Sequence, residues 1–245
     1  MVFGLFSKAP DSQGGGGSIA SQLEGVNHQI LGTPITAAPT AAQGEALFGC
    51  GCFWGAEKGF WRLPGVVTTA VGYAGGKIDH PSYDQVCSGR TGHAEVVRVV
   101  WDKATVDFSD LLKLFWECHD PTQGDRQGND QGSQYRSAIY VDDPALLQLA
   151  ETSRAAYGGL LAAAGHGAIT TEIADHRPFF YAEAYHQQYL AKPGSRPYCS
   201  AQPSGVTLGA FPGADYRLPT SVWAAYDWSI PHCVLRGENQ PIRIA

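Results

Sequence analysis

The segment 51–55, with the sequence GCFWG, contains a cysteine, Cys52, in a setting that could make its thiol reactive. A short apolar run precedes this segment and an amphipathic stretch follows it, so Cys52 is expected at the junction of a strand and a helix. Backbone N–H groups and the positive end of the helix dipole favour a thiolate at such a position and should lower the cysteine pKa. The two flanking glycines let the backbone approach a ligand closely. We therefore predict that Cys52 is a nucleophile, although composition alone also allows a buried apolar cluster here.

The chain has six cysteines, at positions 50, 52, 87, 118, 199 and 233. At 245 residues it can bury a core without disulfides, so free or catalytic thiols are expected. Cys50 lies two positions from Cys52, where a disulfide between them would be strained. Cys87 and Cys118 lie within patterned segments. We expect these three cysteines to be small buried hydrophobic residues.

The elements that must position these residues follow from hydrophobic periodicity and capping signals. The pattern predicts strands at 46–49, 66–73, 94–101, 138–141 and 168–173. It predicts helices at 52–63, at 110–119 with Ser109 as N-cap, and at 144–164 after the Asp143-Pro144 pair. The order of these elements predicts an α/β fold in two layers. It fits a split βαβ plan of the ferredoxin-like type with an added helix and strand.

Three regions are expected along the chain. Residues 1–44 include a GGGG run and little patterned apolar sequence, which indicates a flexible N-terminal tail. Residues 45–200 are predicted to form a single catalytic domain. After Tyr189 the pattern dissolves into Pro, Gly and Ser, so residues 201–245 are expected to be an irregular, loop-rich C-terminal extension.

The composition excludes several classes of protein. A net charge of −6 without a stripe of Lys or Arg argues against nucleic-acid binding. Apolar runs are far shorter than the roughly 20 residues that a membrane helix requires, so no membrane partner is expected. The start of the chain lacks the basic region and the apolar length of a secretory signal. We expect a cytoplasmic protein, although organelle targeting by the tail is left open.

Five motifs occur in a fixed order: GCFWG at 51–55, GYAGG at 72–76, YDQVCSGRTGHAEVV at 83–97, HDPTQGDRQGNDQGSQYRSAIY at 119–140 and HQQYL at 186–190. Together they closely resemble the A-type peptide methionine sulfoxide reductases over about residues 46–200. The resemblance implies thiol-dependent reduction of the S epimer of methionine sulfoxide, free or in oxidised proteins, without a metal or organic cofactor. It implies thioredoxin as the electron donor, and we expect a monomer.

Two residues match the reacting groups of that family. Cys52 resembles the nucleophile that attacks sulfur, and Glu95 in the GHAEVV motif resembles the acid that protonates the sulfoxide oxygen. Such an acid must keep its proton near neutral pH, which requires partial desolvation. The neighbouring Val96 and Val97 are consistent with a dry environment. An exposed strand glutamate is the alternative.

The remaining matches concern binding. Tyr83 and Tyr135 resemble family tyrosines that donate hydrogen bonds to the sulfoxide oxygen, and packing alone is the alternative for both. Asp130 resembles a residue that acts through water. Phe53 and Trp54 are expected to form the slot for the substrate methyl group.

His186 in HQQYL fits a structural hydrogen bond at least as well as a catalytic duty. Cys199 in PYCSAQPSGV resembles the resolving cysteine, which condenses with the Cys52 sulfenic acid to form a disulfide. The chain departs from some relatives at two positions, because Thr207 and Ile244 stand where those relatives have cysteine. Cys233 is therefore a candidate for a third thiol in recycling.

Two other functions remain open from the residues alone. A cysteine hydrolase could use Cys52 with His93 or His119 as general base. A metal-binding module could use Cys50 and Cys52 or the Cys118-His119 pair, although the spacing matches no standard zinc framework.

Overall fold

The computed structural model describes residues 18–231 and 233–244, with only the backbone described at residue 233. Its strands are β1 (Gln43–Cys50), β2 (Val66–Ala74), β3 (Ala94–Asp102), β4 (Arg126–Gln127), β5 (Asp130–Gln131), β6 (Ser137–Tyr140), β7 (Glu172–Ala174) and β8 (Phe180–Tyr181). Its α-helices are α1 (Ile19–Gln22), α2 (Phe53–Trp61), α3 (Tyr83–Cys87), α4 (Phe108–Cys118), α5 (Pro144–Ala163) and α6 (Thr220–Trp223). Single 3-10 turns occur at Ser133–Tyr135, Tyr189–Ala191 and Cys233–Leu235.

The central sheet has six strands in the order β7-β6-β1-β3-β2-β8. The four inner strands pair antiparallel, with α2 connecting β1 to β2 and α4 lying between β3 and β6. This is the ferredoxin-like order. Strand β7 pairs parallel to β6 after the long helix α5, and is the added strand of the prediction. The predicted α/β fold class is confirmed.

Alternation along the inner strands divides the core between two faces of the sheet. In β3, Val97 and Val99 belong to the large apolar cluster under the helices, whereas Val96 belongs to a smaller cluster on the other face. Helices α2 and α4 pack on β1, and α2 also packs on β2 and β3. Glu95 has the parity of Val97 and therefore points toward the helices.

The N-terminus of α5 agrees with the prediction, and the N-terminus of α4 differs from it. Asp143 caps α5 by accepting a hydrogen bond from the backbone N–H of Ala145, as predicted. The predicted cap Ser109 is wrong, because α4 begins two residues earlier than predicted, at Phe108, and Asp107 is its N-cap. Asp107 and Asp110 form a reciprocal capping box, which satisfies two backbone donors and outcompetes a serine cap. The last predicted strand is also shorter, at 172–174.

Residues 18–42 are anchored to the domain by three buried side chains, those of Leu23, His28 and Ile35, which differs from the expected flexible tail. Residues 1–17 of that tail lie outside the described residues. Leu23 and Ile35 are buried against the sheet beside Ala70. Arg98 donates hydrogen bonds to the carbonyl of Ile35 and to Glu45. These apolar and charged contacts lie outside the periodic segments, which is why composition did not reveal them.

The C-terminal extension is irregular but lies against the domain. Leu208, Phe211 and Val222 are buried in the main core. The last turns run along α2, where the indole N–H of Trp61 donates to the carbonyl of Asn239 at 2.8 Å. In the part of the chain that the structure describes, no helix has the length and apolarity needed to span a membrane.

Candidate active site

Cys52 lies at the N-terminus of α2, one residue beyond the turn that leaves β1. Gly51 makes this turn with a φ of +86°, and a Cβ there would lie 2.6 Å from the Cβ of Gln127. Only glycine fits this backbone and this spacing. Cys52 is the N-cap residue of α2 and is 8% exposed. The sequence prediction of a thiol between a strand and a helix start is confirmed.

The electrostatic environment of the thiol differs from the prediction. The backbone N–H of Trp54 lowers the pKa of Cys52, in the direction expected at a helix N-terminus. Burial is the larger effect and, together with the nearby Glu95 carboxyl, raises the pKa of Cys52 well above its ordinary value. The expected lowering is therefore wrong for this state of the site, because desolvation outweighs one backbone hydrogen bond.

Glu95 is a buried carboxyl beside this thiol. It is 2% exposed, which excludes the exposed strand glutamate. Its Oε2 atom accepts a hydrogen bond of 3.0 Å from the backbone N–H of Phe53. Burial raises the pKa of Glu95 to about 8, with the Phe53 hydrogen bond opposing and Asp130 adding to the rise. The side chain can therefore hold a proton at neutral pH.

Tyr83 and Tyr135 face the same carboxyl. Burial raises the pKa of both hydroxyls far above the ordinary value, and proximity to Glu95 is the next cause for each. Both are therefore neutral O–H groups able to donate. Asp130 accepts a hydrogen bond through Oδ1 from the hydroxyl of Tyr198. Its Oδ2 atom is buried and has no hydrogen-bond partner among the described residues.

An aromatic group surrounds the start of α2. The indole N–H of Trp54 donates to Nδ1 of His186 at 3.1 Å, and the indole stacks on Tyr189 with 3.9 Å between ring centroids. The rings of Phe53 and Tyr83 lie 5.1 and 4.5 Å from that of His186. Burial lowers the pKa of His186 to about 3, so the imidazole is neutral and acts as a structural acceptor.

Two acidic residues that the sequence analysis did not single out, Glu183 and Glu57, hold this arrangement by hydrogen bonds. Glu183 accepts hydrogen bonds from the hydroxyl of Tyr73 and the backbone N–H of Tyr83. Glu57 is fully buried and accepts from Thr69 and from Gln188, which is in a left-handed conformation. Glu183 lies 100 and 110 positions from its two partners, and Gln188 lies 131 positions from Glu57. The sequence therefore contains only one signal, an acidic residue within an apolar helix at position 57.

Cys199 is already against α2 in this structure. Its thiol is free and 5% exposed. A Cβ on Gly55 would lie 2.5 Å from the Cys199 Sγ, so the two residues are in direct contact. Gly55 is one helical turn from Cys52, on the same face. The side chain of Cys233 lies outside the described residues.

The other cysteines differ from one another. Cys50 and Cys118 are buried, as predicted, but Cys87 is exposed, because α3 ends there at the protein surface. Partial burial raises the pKa of the Cys87 thiol to about 11, and the nearby Tyr83 side chain opposes this rise. The expectation of a buried hydrophobic residue is therefore wrong for Cys87.

The two histidines that could serve as a general base, His93 and His119, form hydrogen bonds with other groups. His93 pairs through its two ring nitrogens with the backbone of Gly76 and Ile78. His119 pairs with the carbonyl of Phe115 and with Ser137. Neither imidazole is thus free to act as the base of a hydrolase at Cys52.

Comparisons with known proteins point to one family. The family model described as peptide methionine sulfoxide reductase matches residues 44–208. The peptide methionine sulfoxide reductase MsrA of Rhodospirillum centenum is 56% identical over 199 residues, which cover 80% of this chain and 86% of the relative. The corresponding protein of Azotobacter vinelandii is 58% identical over 182 residues, covering 74% of this chain and 83% of the relative.

Solved structures agree. Methionine sulfoxide reductase A of Corynebacterium diphtheriae superposes with a TM-score of 0.68 at 44% identity, covering 80% of this chain and 93% of that chain. Mxr1 from Saccharomyces cerevisiae in reduced form has a TM-score of 0.61 at 33% identity, covering 67% and 92% of the two chains.

Proposed function

The chain belongs to the peptide methionine sulfoxide reductase family and is an oxidoreductase that acts on methionine sulfoxide, and from this premise we propose that it reduces the S epimer, free or in proteins. Its role is the repair of oxidised proteins. Catalysis passes through a Cys52 sulfenic acid and a Cys52–Cys199 disulfide, which thioredoxin reduces. The reaction uses no metal or organic cofactor, only an external dithiol.

The observation that carries the proposal is the position of Glu95. Its carboxyl and the Cys52 thiol both lie at the first turn of α2, and the carboxyl is held there by the backbone N–H of Phe53. A pKa of about 8 keeps the carboxyl protonated near neutral pH. A nucleophile and a proton donor at one buried point match a substrate in which an electrophilic sulfur carries a basic oxygen.

The reductive step then follows. The Cys52 sulfur attacks the sulfoxide sulfur while Glu95 gives its proton to the sulfoxide oxygen, which Tyr83 and Tyr135 also hold by hydrogen bonds. The oxygen is transferred to Cys52. Methionine leaves as a thioether, reduced by two electrons, and the cysteine becomes a sulfenic acid. Asp130 acts through a water bound at its unpartnered Oδ2 atom.

The S-methyl group of the substrate occupies a slot formed by Trp54 and Phe53. The hydrogen bond from Trp54 to His186 and the stacking on Tyr189 fix the indole plane. A rigid apolar wall on one side and hydroxyl donors on the other accept a single configuration at sulfur. This asymmetry is the physical basis for epimer selection.

Resolution requires the second thiol. Cys199 attacks the sulfenic sulfur of Cys52, water leaves, and a disulfide forms. The contact of Cys199 with Gly55, one turn from Cys52, supports this pairing because only a small movement is needed. We place the enzyme in the cytoplasm as a monomer, where thioredoxin reduces the disulfide by thiol exchange.

An assay on the two separated epimers of a methionine sulfoxide, with dithiothreitol as reductant, tests the proposal. The S epimer should yield methionine at a rate at least a hundredfold above that of the R epimer. Equal rates for the two epimers would contradict the proposal that Trp54 and Phe53 form a slot for the methyl group. Hydrolysis of thioesters or amides without consumption of dithiol would point to a hydrolase instead.

A further inference from the structure

Three buried thiols share one cavity behind α2. Cys50, Cys118 and Cys199 line a space of about 10 Å³, enough for about one water molecule. The rest of the lining is Gly55, Ala56, Gly59, Ala201 and Val234, all small or apolar. A thiol in this space can react with the other two thiols, because the remaining residues of the lining are chemically inert.

Cys50 and Cys118 form a pair within this cavity. They end β1 and α4, respectively, and both are buried. Their sulfur atoms and a ring nitrogen of His119 all lie within 4.8 Å of one another. Both nitrogens of His119 are already engaged with Phe115 and Ser137. The two thiols are therefore the reactive groups of the cluster, and a metal would find only two free ligands.

Cys199 connects this pair with the nucleophile. On one side it contacts Gly55, one turn from Cys52, and a Cys199 thiolate is close enough to raise the pKa of Cys52. On the other side Cys118 is close enough to raise the pKa of Cys199. Cys199 thus adjoins both the first turn of α2, which carries Cys52, and the cavity that Cys50 and Cys118 line.

We propose that Cys50 and Cys118 are a reserve of two electrons that takes up the disulfide formed during catalysis, an inference that rests on the proposed function. The Cys118 thiolate attacks Cys199 Sγ in the Cys52–Cys199 disulfide, which forms a Cys118–Cys199 bond and releases the Cys52 thiolate. Cys50 then attacks Cys118 Sγ and releases Cys199. The Cys50–Cys118 pair ends oxidised, and Cys52 and Cys199 end reduced.

The reserve permits a second turnover without an external reductant. The neighbouring Cys50 side chain and burial raise the pKa of Cys118, and burial raises that of Cys199 to about 12. Few thiolates are therefore present, and the exchange is slower than the first turnover. The adjacent His119 ring acts in the opposite direction on Cys118. Proximity compensates for the low thiolate fraction because every partner is held in one cavity.

The experiment measures methionine formed per chain without a reductant. The full-length protein carries Cys233→Ser, which removes a thiol that could also enter the exchange. It is fully reduced, freed of reductant without oxygen, and given excess S epimer. We expect about two methionines per chain, with peptide mapping that finds both a Cys52–Cys199 and a Cys50–Cys118 bridge.

Two variants in the same background test the route. Cys118→Ala should yield one methionine per chain with the Cys52–Cys199 bridge alone, and that first methionine shows that the variant is folded. Cys50→Ala should stop the exchange at a Cys118–Cys199 bridge, which traps the intermediate.

The outcomes separate this proposal from the function on which it rests. No methionine from any variant would overturn the proposed function itself. One methionine per chain both with and without Cys118 would leave that function intact and overturn the reserve. A second methionine accompanied by a bridge through Cys87 would equally overturn the assignment to Cys50 and Cys118.

Discussion

The carboxyl of Glu95 accepts a hydrogen bond from the backbone N–H of Phe53, the residue that follows Cys52. The acid and the thiol are thereby attached to the same helix end, and the charge of an ionised Glu95 disfavours ionisation of the Cys52 thiol. A proton held by Glu95 removes one negative charge from the site and makes thiolate formation easier. The protonated form of Glu95 therefore has two effects: it can donate to the sulfoxide oxygen, and it favours the thiolate of Cys52.

Cys52→Ser should abolish reduction of methionine sulfoxide and leave the fold intact, because a serine hydroxyl is not appreciably ionised at neutral pH. The measurement is methionine formation with dithiothreitol, with the thermal unfolding midpoint as the control for folding. Retention of even a tenth of the wild-type activity would show that another group attacks the sulfur.

Glu95→Gln should slow the reductive step by about two to four orders of magnitude, the usual contribution of a general acid. Substrate affinity should change little, since the amide fills the same space. In the wild type the single-turnover rate should fall as pH rises through about 8, where Glu95 loses its proton. The variant should lack this decline. An unchanged single-turnover rate would assign the acid to another residue.

The same substitution should stabilise the protein in a pH-dependent manner. The folded pKa of Glu95, about 8, is raised above the ordinary value of 4.5, so the folded carboxyl is neutral where the unfolded one is already charged. Its contribution to stability is present below pH 4.5 and is lost as pH rises to 8. The unfolding midpoint of Glu95→Gln relative to wild type should increase by several degrees over this window and then level off. A constant difference would contradict the raised pKa.

Cys199→Ser should leave one fast turnover per chain, because the chemistry on sulfur needs only Cys52 and its proton donor. Steady-state turnover with thioredoxin should collapse, and dithiothreitol should partly restore it by attacking the sulfenic acid directly. Mass spectrometry of the wild type after one equivalent of substrate should find Cys52 linked to Cys199. A dominant link from Cys52 to Cys233 would make Cys233 the first resolving residue.

Gly55→Ala should slow disulfide formation at least tenfold without slowing methionine formation in the first turnover. The new methyl group would overlap the Cys199 sulfur and push it from the helix. Gly59→Ala is the matched control, because its nearest neighbour would be Leu114 at 3.7 Å, an ordinary contact. Both changes favour the helix itself. Equal rates of thiol loss in the two variants would show that the Gly55 contact does not place Cys199 for its attack.

Much of the fold could be predicted because its long elements carry their own pattern. Strand β3 and helix α5 have periodic apolar residues over many positions, and their approximate extents follow from that. The hairpin of β4 and β5, helix α3 and strand β8 have two to five residues each. Elements this short depend on tertiary contacts rather than on local propensity, so no window of sequence predicts them.

The active site also contains features that the sequence predicts and features that depend on tertiary contacts. Cys52 at a helix start followed from local pattern alone, whereas the pairing of Tyr198 with Asp130 joins residues 68 positions apart. The dominance of burial over the helix dipole at Cys52 also depends on how deeply the chain folds around it. For Cys50 and Cys118 the sequence predicts only small buried hydrophobic residues, because nothing in it places the end of β1 against the end of α4.

The packing of residues 18–42 matters for the free edge of the sheet. Leu23 and Ile35 lie with Tyr181 beside β8, the last strand on that side. An uncovered edge strand offers unpaired N–H and C=O groups to any other chain. This segment covers apolar surface beside the edge strand, and we expect it to disfavour edge-to-edge self-association. A fragment trimmed to begin at Gln43 would keep every proposed catalytic residue, yet it would expose this edge and its apolar surroundings and be prone to aggregate.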